Sequence, residues 1–282
     1  MPDLNAIDTQ DSDTRLARLH QTIADLLAEA KHQGASAAEA VVSTSQGLEV
    51  GVRLGEIETV EHTRDHSLGI SVYFGQRKGS ASTSDLSPAA VRDTVAKACS
   101  IATHTQEDPC AGLAPAELMA AAVPDLDLNH PWNIAVDAAT RLALDCEAAA
   151  RDADPRIVNS EGASLSSHGG LQVYGNSHGF IGGYATTRHG LSCAVVGKDG
   201  ESMQRDHWYT SARAAEDLDS AESVGRRAAE RTLARLNGRR LGTCTVPVLF
   251  RADLAAGLLR HLMGAIHGAS LYRKTSFMLD QL

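Results

Sequence analysis

Two histidines near the end of the chain are the residues whose type best suits metal chemistry. His261 and His267 lie on the last predicted helix, which runs from about Ala252 to His267. A step of six residues turns a helix by about 600°, so the two imidazoles are expected about 120° apart and not on one face. Helical histidines that share a zinc ion are usually four apart, with a glutamate between them as general base. The residues between this pair are apolar and include no carboxylate, which is typical of packed core, so this helix alone does not predict a zinc site.

The segment Gly175–Gly179 has the spacing of a catalytic serine motif. Its letters match G-x-S-x-G, in which a strained turn between a strand and a helix presents the serine beside an oxyanion hole. Here the flanking segments, Leu171–Tyr174 and Phe180–Thr186, both predict strands. A hairpin turn of glycine, asparagine and serine residues explains the same letters. We therefore interpret the segment as a turn and not as a serine-hydrolase site.

The most basic stretch of the chain lies on and just beyond a helix predicted from Ser220 to Leu236. Its arginines are Arg226, Arg227, Arg231, Arg235, Arg239 and Arg240. Because Glu222 and Glu230 lie on the same helix, a solvated helix face is favoured over an anion-binding surface. Neither G-x-x-x-x-G-K-[ST] nor G-x-G-x-x-G between a strand and a helix occurs, so nucleotide binding of those types is not predicted.

The composition excludes several classes of partner. With 26 basic and 35 acidic residues, the net charge is −9 and the pI is near 5.7, so neither nucleic acid nor an anionic membrane is expected as a partner. The acidic start predicts no secretory signal, and no apolar run reaches the roughly 18–20 residues that span a bilayer. The five cysteines are widely spaced and form no CxxC pair, so neither a disulfide framework nor a cysteine zinc site is expected. These features together favour a cytoplasmic location.

The pattern of apolar residues predicts an α+β fold with an antiparallel meander. Residues 1–13 are acidic and are expected to form a flexible tail. An amphipathic helix follows from Thr14 and ends at Gly34. Short strands separated by glycine turns are then predicted at Ala38–Ser43, Leu48–Leu54, Ile57–His62, Leu68–Phe74 and Ser80–Ser84. A helix capped by Ser87 closes this first half.

The same order returns after a proline-rich stretch over residues 105–133. A short helix is predicted near Pro115–Ala122, and a long one from about Asn133 to Asp152. Strands follow at Ile157–Ser166, Gly170–Tyr174, Phe180–Thr186, Leu191–Val196 and Ser202–Ala212, before the helix that starts at Ser220. We therefore predict two similar α+β halves that build one domain over residues 14–240. Val246–Phe250 predicts a further strand ahead of the last helix.

Several segments resemble the TldD/PmbA family of bacterial and archaeal proteins. Near the end of the chain these are Val246–Phe250, the helix into Ile266-His267-Gly268, and Tyr272-Arg273-Lys274 with Ser276. Upstream they are Glu39–Val42, Ser67–Tyr73 and Asn159–Gly162. The resemblance covers the chain from about residue 14 to its end. It depends on the order of these segments along the chain as well as on their residues.

The resemblance implies a metallopeptidase family in which TldD-type chains bind zinc. Those chains carry HExxxH on this helix and a further cysteine ligand in a C-terminal domain. When that motif is aligned with this chain, its second histidine corresponds to His267. Its first histidine corresponds to Leu262, and its glutamate corresponds to Met263. Without that carboxylate, nothing from the motif takes a proton from zinc-bound water. The resemblance therefore implies a PmbA (TldE)-like subunit with no catalytic, cofactor-binding or metal-binding residue of its own.

The resemblance also implies a partner and a second domain. In the family, the two kinds of subunit form a heterodimeric peptidase that acts on unfolded or modified peptides in a closed chamber. Zinc is then expected on the TldD-like partner, and strand edges of this chain are expected to face an extended peptide. Residues 241–282 are expected to start a C-terminal domain that the chain does not finish. Two other functions stay open: a self-sufficient metallopeptidase that uses His261 or His267 with ligands from elsewhere, and a non-enzymatic peptide-binding adaptor.

Overall fold

The structure, a computed structural model, describes residues 12–281. Its helices are α1 Ser12–His32, α2 Pro88–His104, α3 Val136–Arg151, α4 Ala221–Ala234, α5 Ala252–Ile266 and α6 Gly268–Tyr272. Its strands are β1 Ala37–Arg53, β2 Glu56–Phe74, β3 Arg77–Thr83, β4 Ile157–Asn176, β5 Ile181–Asp199 and β6 Ser202–Ala212. The chain divides into two units, one up to Asn237 and one from Gly238 onward. Of the tail predicted over residues 1–13, Ser12 and Asp13 belong to α1, and the remainder lies outside the described residues.

The strands form one antiparallel sheet in the first unit, in the order β3-β2-β1-β4-β5-β6. In each half, a helix precedes three sequential strands and a second helix follows them. The halves join through β1 and β4, which pair along nearly their whole lengths. Their outer hairpins close with matching two-residue turns, in which Gly75 and Gly200 have φ of 61° and 57°. The predicted α+β class, the antiparallel meander and the two similar halves are confirmed.

The strands are longer than predicted, because several strand glycines do not form turns. Ala38–Ser43 and Leu48–Leu54 are parts of the single strand β1, and Gly47 lies inside it. A side chain at Gly47 would overlap the ring of His168, its partner on β4, so this glycine allows close cross-strand packing. The same merging joins the predicted pairs of segments within β2, β4 and β5. Gly55, by contrast, does form a turn, with φ of 84°.

One face of the sheet is covered by helices and carries two separate apolar clusters. The first lies under α1 and α2 and includes Val42 and Leu68. The second lies under α3 and α4 and includes Val50 and Leu165. The buried members of both clusters are aliphatic residues, alanines and cysteines, in keeping with an aromatic content of 4%. Each large aliphatic side chain buried here contributes about 1.5–3 kcal/mol to stability.

The opposite face of the sheet is more exposed, and we call it the open face. Apart from the partly buried Gln46, alternate residues of β1 from Ala38 to Val52 are buried toward the helices, whereas those between them, from Glu39 to Gly51, are partly or fully exposed. This alternation is expected for a strand with one buried face.

Two further predicted elements differ from the structure. Val246–Phe250 is not a strand, and no strand of the described residues pairs with it. A run of apolar residues forms a strand only if a neighbouring strand supplies partners for its backbone hydrogen bonds. The helix predicted near Pro115–Ala122 is a single 3-10 turn over Ala116–Leu118. None of the helices within residues 12–281 combines the length and the apolar character needed to span a bilayer.

Candidate functional site

The segment that resembles the metal motif lies in the second unit, at the end of α5. The helix stops at Ile266, and His267 has extended backbone angles, φ −61° and ψ 129°. Its Nδ1 accepts a hydrogen bond from the backbone N–H of Ala269 at 3.3 Å. The predicted helix is therefore one residue shorter, because His267 caps the following helix α6 instead of extending α5.

The other two motif positions offer no metal ligand. Leu262 and Met263 lie on α5 with 44% and 62% of their surface exposed. Within residues 12–281, no three His, Cys, Asp or Glu side chains lie close enough together to hold a metal ion. A zinc site takes three or four protein ligands, so the two donors near this segment, His261 and His267, would need further ligands from elsewhere. The assignment of zinc to a partner subunit stays a prediction.

The residues that match G-x-S-x-G form the hairpin turn between β4 and β5, as we predicted from the flanking strand segments. Strand β4 ends at Asn176, β5 begins at Ile181, and Gly179 has φ of 93°. Ser177 Oγ accepts a hydrogen bond from the Ala38 N–H at 3.0 Å, and the Ser177 N–H donates to the Ala38 carbonyl at 2.8 Å. The serine thus fastens the hairpin to the start of β1, and the strand-to-helix turn of a nucleophile elbow is not formed.

The arginines of α4 have partners within the first unit. Arg226 pairs with Glu222 at 2.6 Å on the exposed side of the helix, as a solvated face predicts. Arg231 is different, because only 18% of its side chain is exposed. Its guanidinium lies 5.1 Å from the centre of the Trp208 ring and within 3.5 Å of Asp206. Part of the basic stretch therefore packs helix α4 against β6, which the sequence pattern did not indicate.

A polar cluster that sequence reasoning missed lies at one end of the open face. Glu39 Oε1 accepts a hydrogen bond from the Tyr73 hydroxyl at 2.8 Å, and Oε2 accepts one from the Tyr174 hydroxyl at 3.2 Å. The Lys78 ammonium lies 3.9 Å from Oε1 and 5.5 Å from the centre of the Tyr73 ring. Burial, followed by the hydrogen bond to Glu39, raises the pKa of Tyr73, so its hydroxyl remains a donor. The two tyrosines therefore hold the Glu39 carboxylate in place, and a carboxylate is suited to binding N–H donors or cations.

The first unit also leaves a long edge of β2 open. Strand β1 pairs with β2 from end to end, but β3 pairs only with Leu68–Phe74. The outer edge of Glu56–Ser67 therefore has no neighbouring strand within the described part of the chain, and all its residues are exposed. Such an edge presents backbone N–H and C=O groups that can pair with an added strand.

Two family models match the chain, and they divide it between the two halves of the sheet. Residues 38–102 match "PmbA/TldA metallopeptidase domain 1", which here comprises β1 to α2. Residues 129–236 match "PmbA/TldA metallopeptidase central domain", which comprises α3 to α4. The first match therefore covers the strands and the second helix of the first half, and the second match covers the whole second half.

Curated relatives match most of this chain but only part of their own length. Metalloprotease PmbA of Escherichia coli O157:H7 is 50% identical over 256 residues, covering 91% of this chain and 56% of the relative. The PmbA homologue of Haemophilus influenzae is 49% identical over 264 residues, covering 94% and 58%. The chain thus spans a little more than half the length of these relatives.

Solved structures share the fold at low sequence identity. A candidate modulator of DNA gyrase from Bacteroides thetaiotaomicron matches with a TM-score of 0.85 at 22% identity, over 93% of this chain and 60% of that one. TldE from Thermococcus kodakarensis matches with a TM-score of 0.70 at 18% identity, over 93% and 58%. With both family models and relatives at about half identity, this chain belongs to the PmbA/TldD metallopeptidase family as a PmbA/TldE-like member.

Proposed function

We propose that this chain is the non-catalytic, PmbA/TldE-like subunit of a cytoplasmic zinc metalloprotease complex that processes or degrades peptides. Its TldD-like partner holds the zinc and the hydrolytic residues. The observation that carries this proposal is the end of α5, where Leu262 and Met263 stand at the positions of a zinc ligand and of the general base. An aliphatic side chain donates no electron pair to zinc, and a thioether does not accept a proton from water near neutral pH.

The open face of the sheet supports a role as a wall beside a peptide. Its centre is built from small polar residues, among them Ser43 and Ser45 on β1 and Ser164 and Ser166 on β4. Such residues leave room for an extended chain to lie close to the sheet without selecting a particular side chain. The carboxylate of Glu39 at one end of this face is a fixed acceptor for a donor group of that peptide.

The open edge of β2 supports peptide pairing by strand addition. Backbone hydrogen bonds along Glu56–Ser67 would hold an extended segment regardless of its sequence. Charged residues along this edge, such as Glu58, Arg64 and Asp65, would discourage pairing between copies of the chain itself.

Co-expression with a TldD-like protein that has an intact HExxxH tests the proposal. We expect the two chains to co-purify and the complex to cleave an unfolded peptide, whereas neither the chain alone nor a complex whose partner lacks the HExxxH glutamate cleaves it. Failure to form a complex, together with peptide binding and no cleavage, would instead identify a peptide-binding adaptor.

A further inference from the structure

A polar band separates the two apolar clusters on the helix-covered face of the sheet. The first cluster reaches Val42 on β1, and the second begins at Leu48. Between them lie Thr44 and Gln46, which pair across strands with His66 and Arg64 of β2. Polar residues in this position are unusual, because the same face is otherwise apolar along β1.

A cavity of about 280 Å³ opens into this band beside α1. It is lined by Arg15 and Arg18 of α1, Thr44 and Gln46 of β1, and Arg64 and His66 of β2, and none of its lining residues within residues 12–281 is acidic. The volume lies just below the range for drug-sized ligand pockets, about 300–1,000 Å³, so it suits only a small ligand. A local concentration of positive groups stands out in a chain whose net charge is −9.

Thr44 gives independent evidence for a bound group. The residue is 8% exposed, and its Oγ1 has no hydrogen-bond partner within the described residues. A buried hydroxyl is seldom left unpaired in a folded protein. An oxygen acceptor in the cavity would accept a hydrogen bond from this hydroxyl.

We propose that this cavity binds a phosphate group, either inorganic phosphate or the phosphate of a small monoester. The guanidinium groups of Arg18 and Arg64 suit the oxygens of a tetrahedral dianion, which accept paired N–H donors. His66 supplies a ring nitrogen, and the Thr44 hydroxyl donates from the floor. Arg15 lines the same cavity but already makes an interaction of its own, so Arg18, Arg64, His66 and Thr44 are the groups assigned to the anion.

Calorimetric titration of the whole chain with inorganic phosphate at constant ionic strength tests this assignment. We expect saturable binding, weakened at least about tenfold by Arg18→Gln or Arg64→Gln, as expected for the loss of a charge-assisted hydrogen bond. Arg92→Gln, an exposed arginine of α2 outside the cavity, should leave the affinity unchanged. Glycerol phosphate in a parallel titration separates the two sources, since tighter binding of the ester would assign the site to a monoester.

Thr44→Val separates binding from folding. Valine keeps the shape of threonine and removes the unpaired hydroxyl, so thermal stability without phosphate should be unchanged or higher, while the stabilisation by phosphate should fall. The proposal is overturned if phosphate shows no saturable binding, if acetate binds equally well, or if Arg18→Gln and Arg64→Gln behave like Arg92→Gln.

Discussion

At the scale of single residues, Glu147 of α3 shows how a buried carboxylate can fix a turn. It is 1% exposed, and its two oxygens accept hydrogen bonds from the backbone N–H groups of Leu54 and Gly55, each at 2.8 Å. Both turn residues have positive φ, 53° and 84°, as the turn of a tight hairpin requires. The carboxylate thus fastens the β1–β2 hairpin to α3.

Replacement of Glu147 should therefore destabilise the fold. We expect Glu147→Ala to lower the free energy of unfolding in urea by about 3 kcal/mol, because two buried N–H groups lose charged acceptors. Glu147→Gln keeps one acceptor oxygen and should cost less. A change below about 0.5 kcal/mol for the alanine variant would show that the turn does not depend on this contact.

Asp206 of β6 should make stability depend on pH. Burial pushes its pKa upward, but the His207 N–H and the guanidiniums of Arg231 and Arg235 outweigh burial, so the pKa lies below its usual value. The unfolded chain binds a proton near pH 4 and the folded chain at lower pH, so this stabilisation is present above about pH 4 and is lost as the pH falls through the folded pKa. Unfolding curves of wild type and Asp206→Asn should therefore differ at pH 7 and converge in acid. A difference that stays constant with pH would rule out this contribution.

The residues at the motif could be identified from the sequence, but the polar cluster could not. Leu262, Met263 and His267 occupy one contiguous segment, so their identity needs no knowledge of the fold. Glu39 is separated from Tyr73 by 34 residues and from Tyr174 by 135. Only the register of the sheet brings them together, and no periodic pattern encodes that register.

At the scale of elements, Gly79 of β3 marks a close approach of helix α2 to the sheet. A Cβ at this position would overlap the backbone of α2 at Ala98 and Ala102. We expect Gly79→Ala to lower the free energy of unfolding by about 2–3 kcal/mol, because α2 must move away from the sheet. Gly69→Ala on β2 is the matched control, since the nearest atom there, Val41 Cγ1, lies at an ordinary 3.7 Å. Equal effects of the two substitutions would contradict this explanation.

The four long helices of the first unit and the helix–meander–helix succession of each half followed from the sequence pattern, but the lengths of the strands did not. Apolar residues at helical spacing predicted α1 and α3 to within a few residues. The segments Ala38–Ser43 and Leu48–Leu54 predict two strands with a glycine turn between them, although Gly47 lies within β1 and pairs with His168 of β4. Pairing with neighbouring strands therefore determines whether a glycine continues a strand or forms a turn, and the local sequence does not contain that information.

At the scale of the whole molecule, the two units differ in how much apolar surface they bury. Both apolar clusters belong to the first unit, whereas Ala265 is the one buried residue of α5. Large apolar side chains of that helix are exposed, namely Leu254, Leu258, Leu259, Leu262 and Met263. An exposed apolar face of this kind favours self-association.

Removal of residues 238–282 should therefore improve solubility and leave the fold of the first unit intact. We expect lower binding of a hydrophobic dye and a monomeric species in sedimentation, with one cooperative unfolding transition. The double substitution Leu258→Gln and Leu259→Gln in the full chain is the control, and it should reduce self-association in the same direction. Loss of cooperative unfolding on removal would show that the first unit depends on the second.

Our central proposal is that this chain does not hold the catalytic zinc, and metal content tests that proposal directly. The chain is purified alone and in complex with a TldD-like partner, and zinc is measured per chain alongside peptide cleavage. We predict no more than trace zinc and no cleavage for the chain alone, about one zinc per partner chain in the complex, and the same values after His267→Ala. Near-stoichiometric zinc on the chain alone, lost on His267→Ala and accompanied by cleavage, would contradict the account.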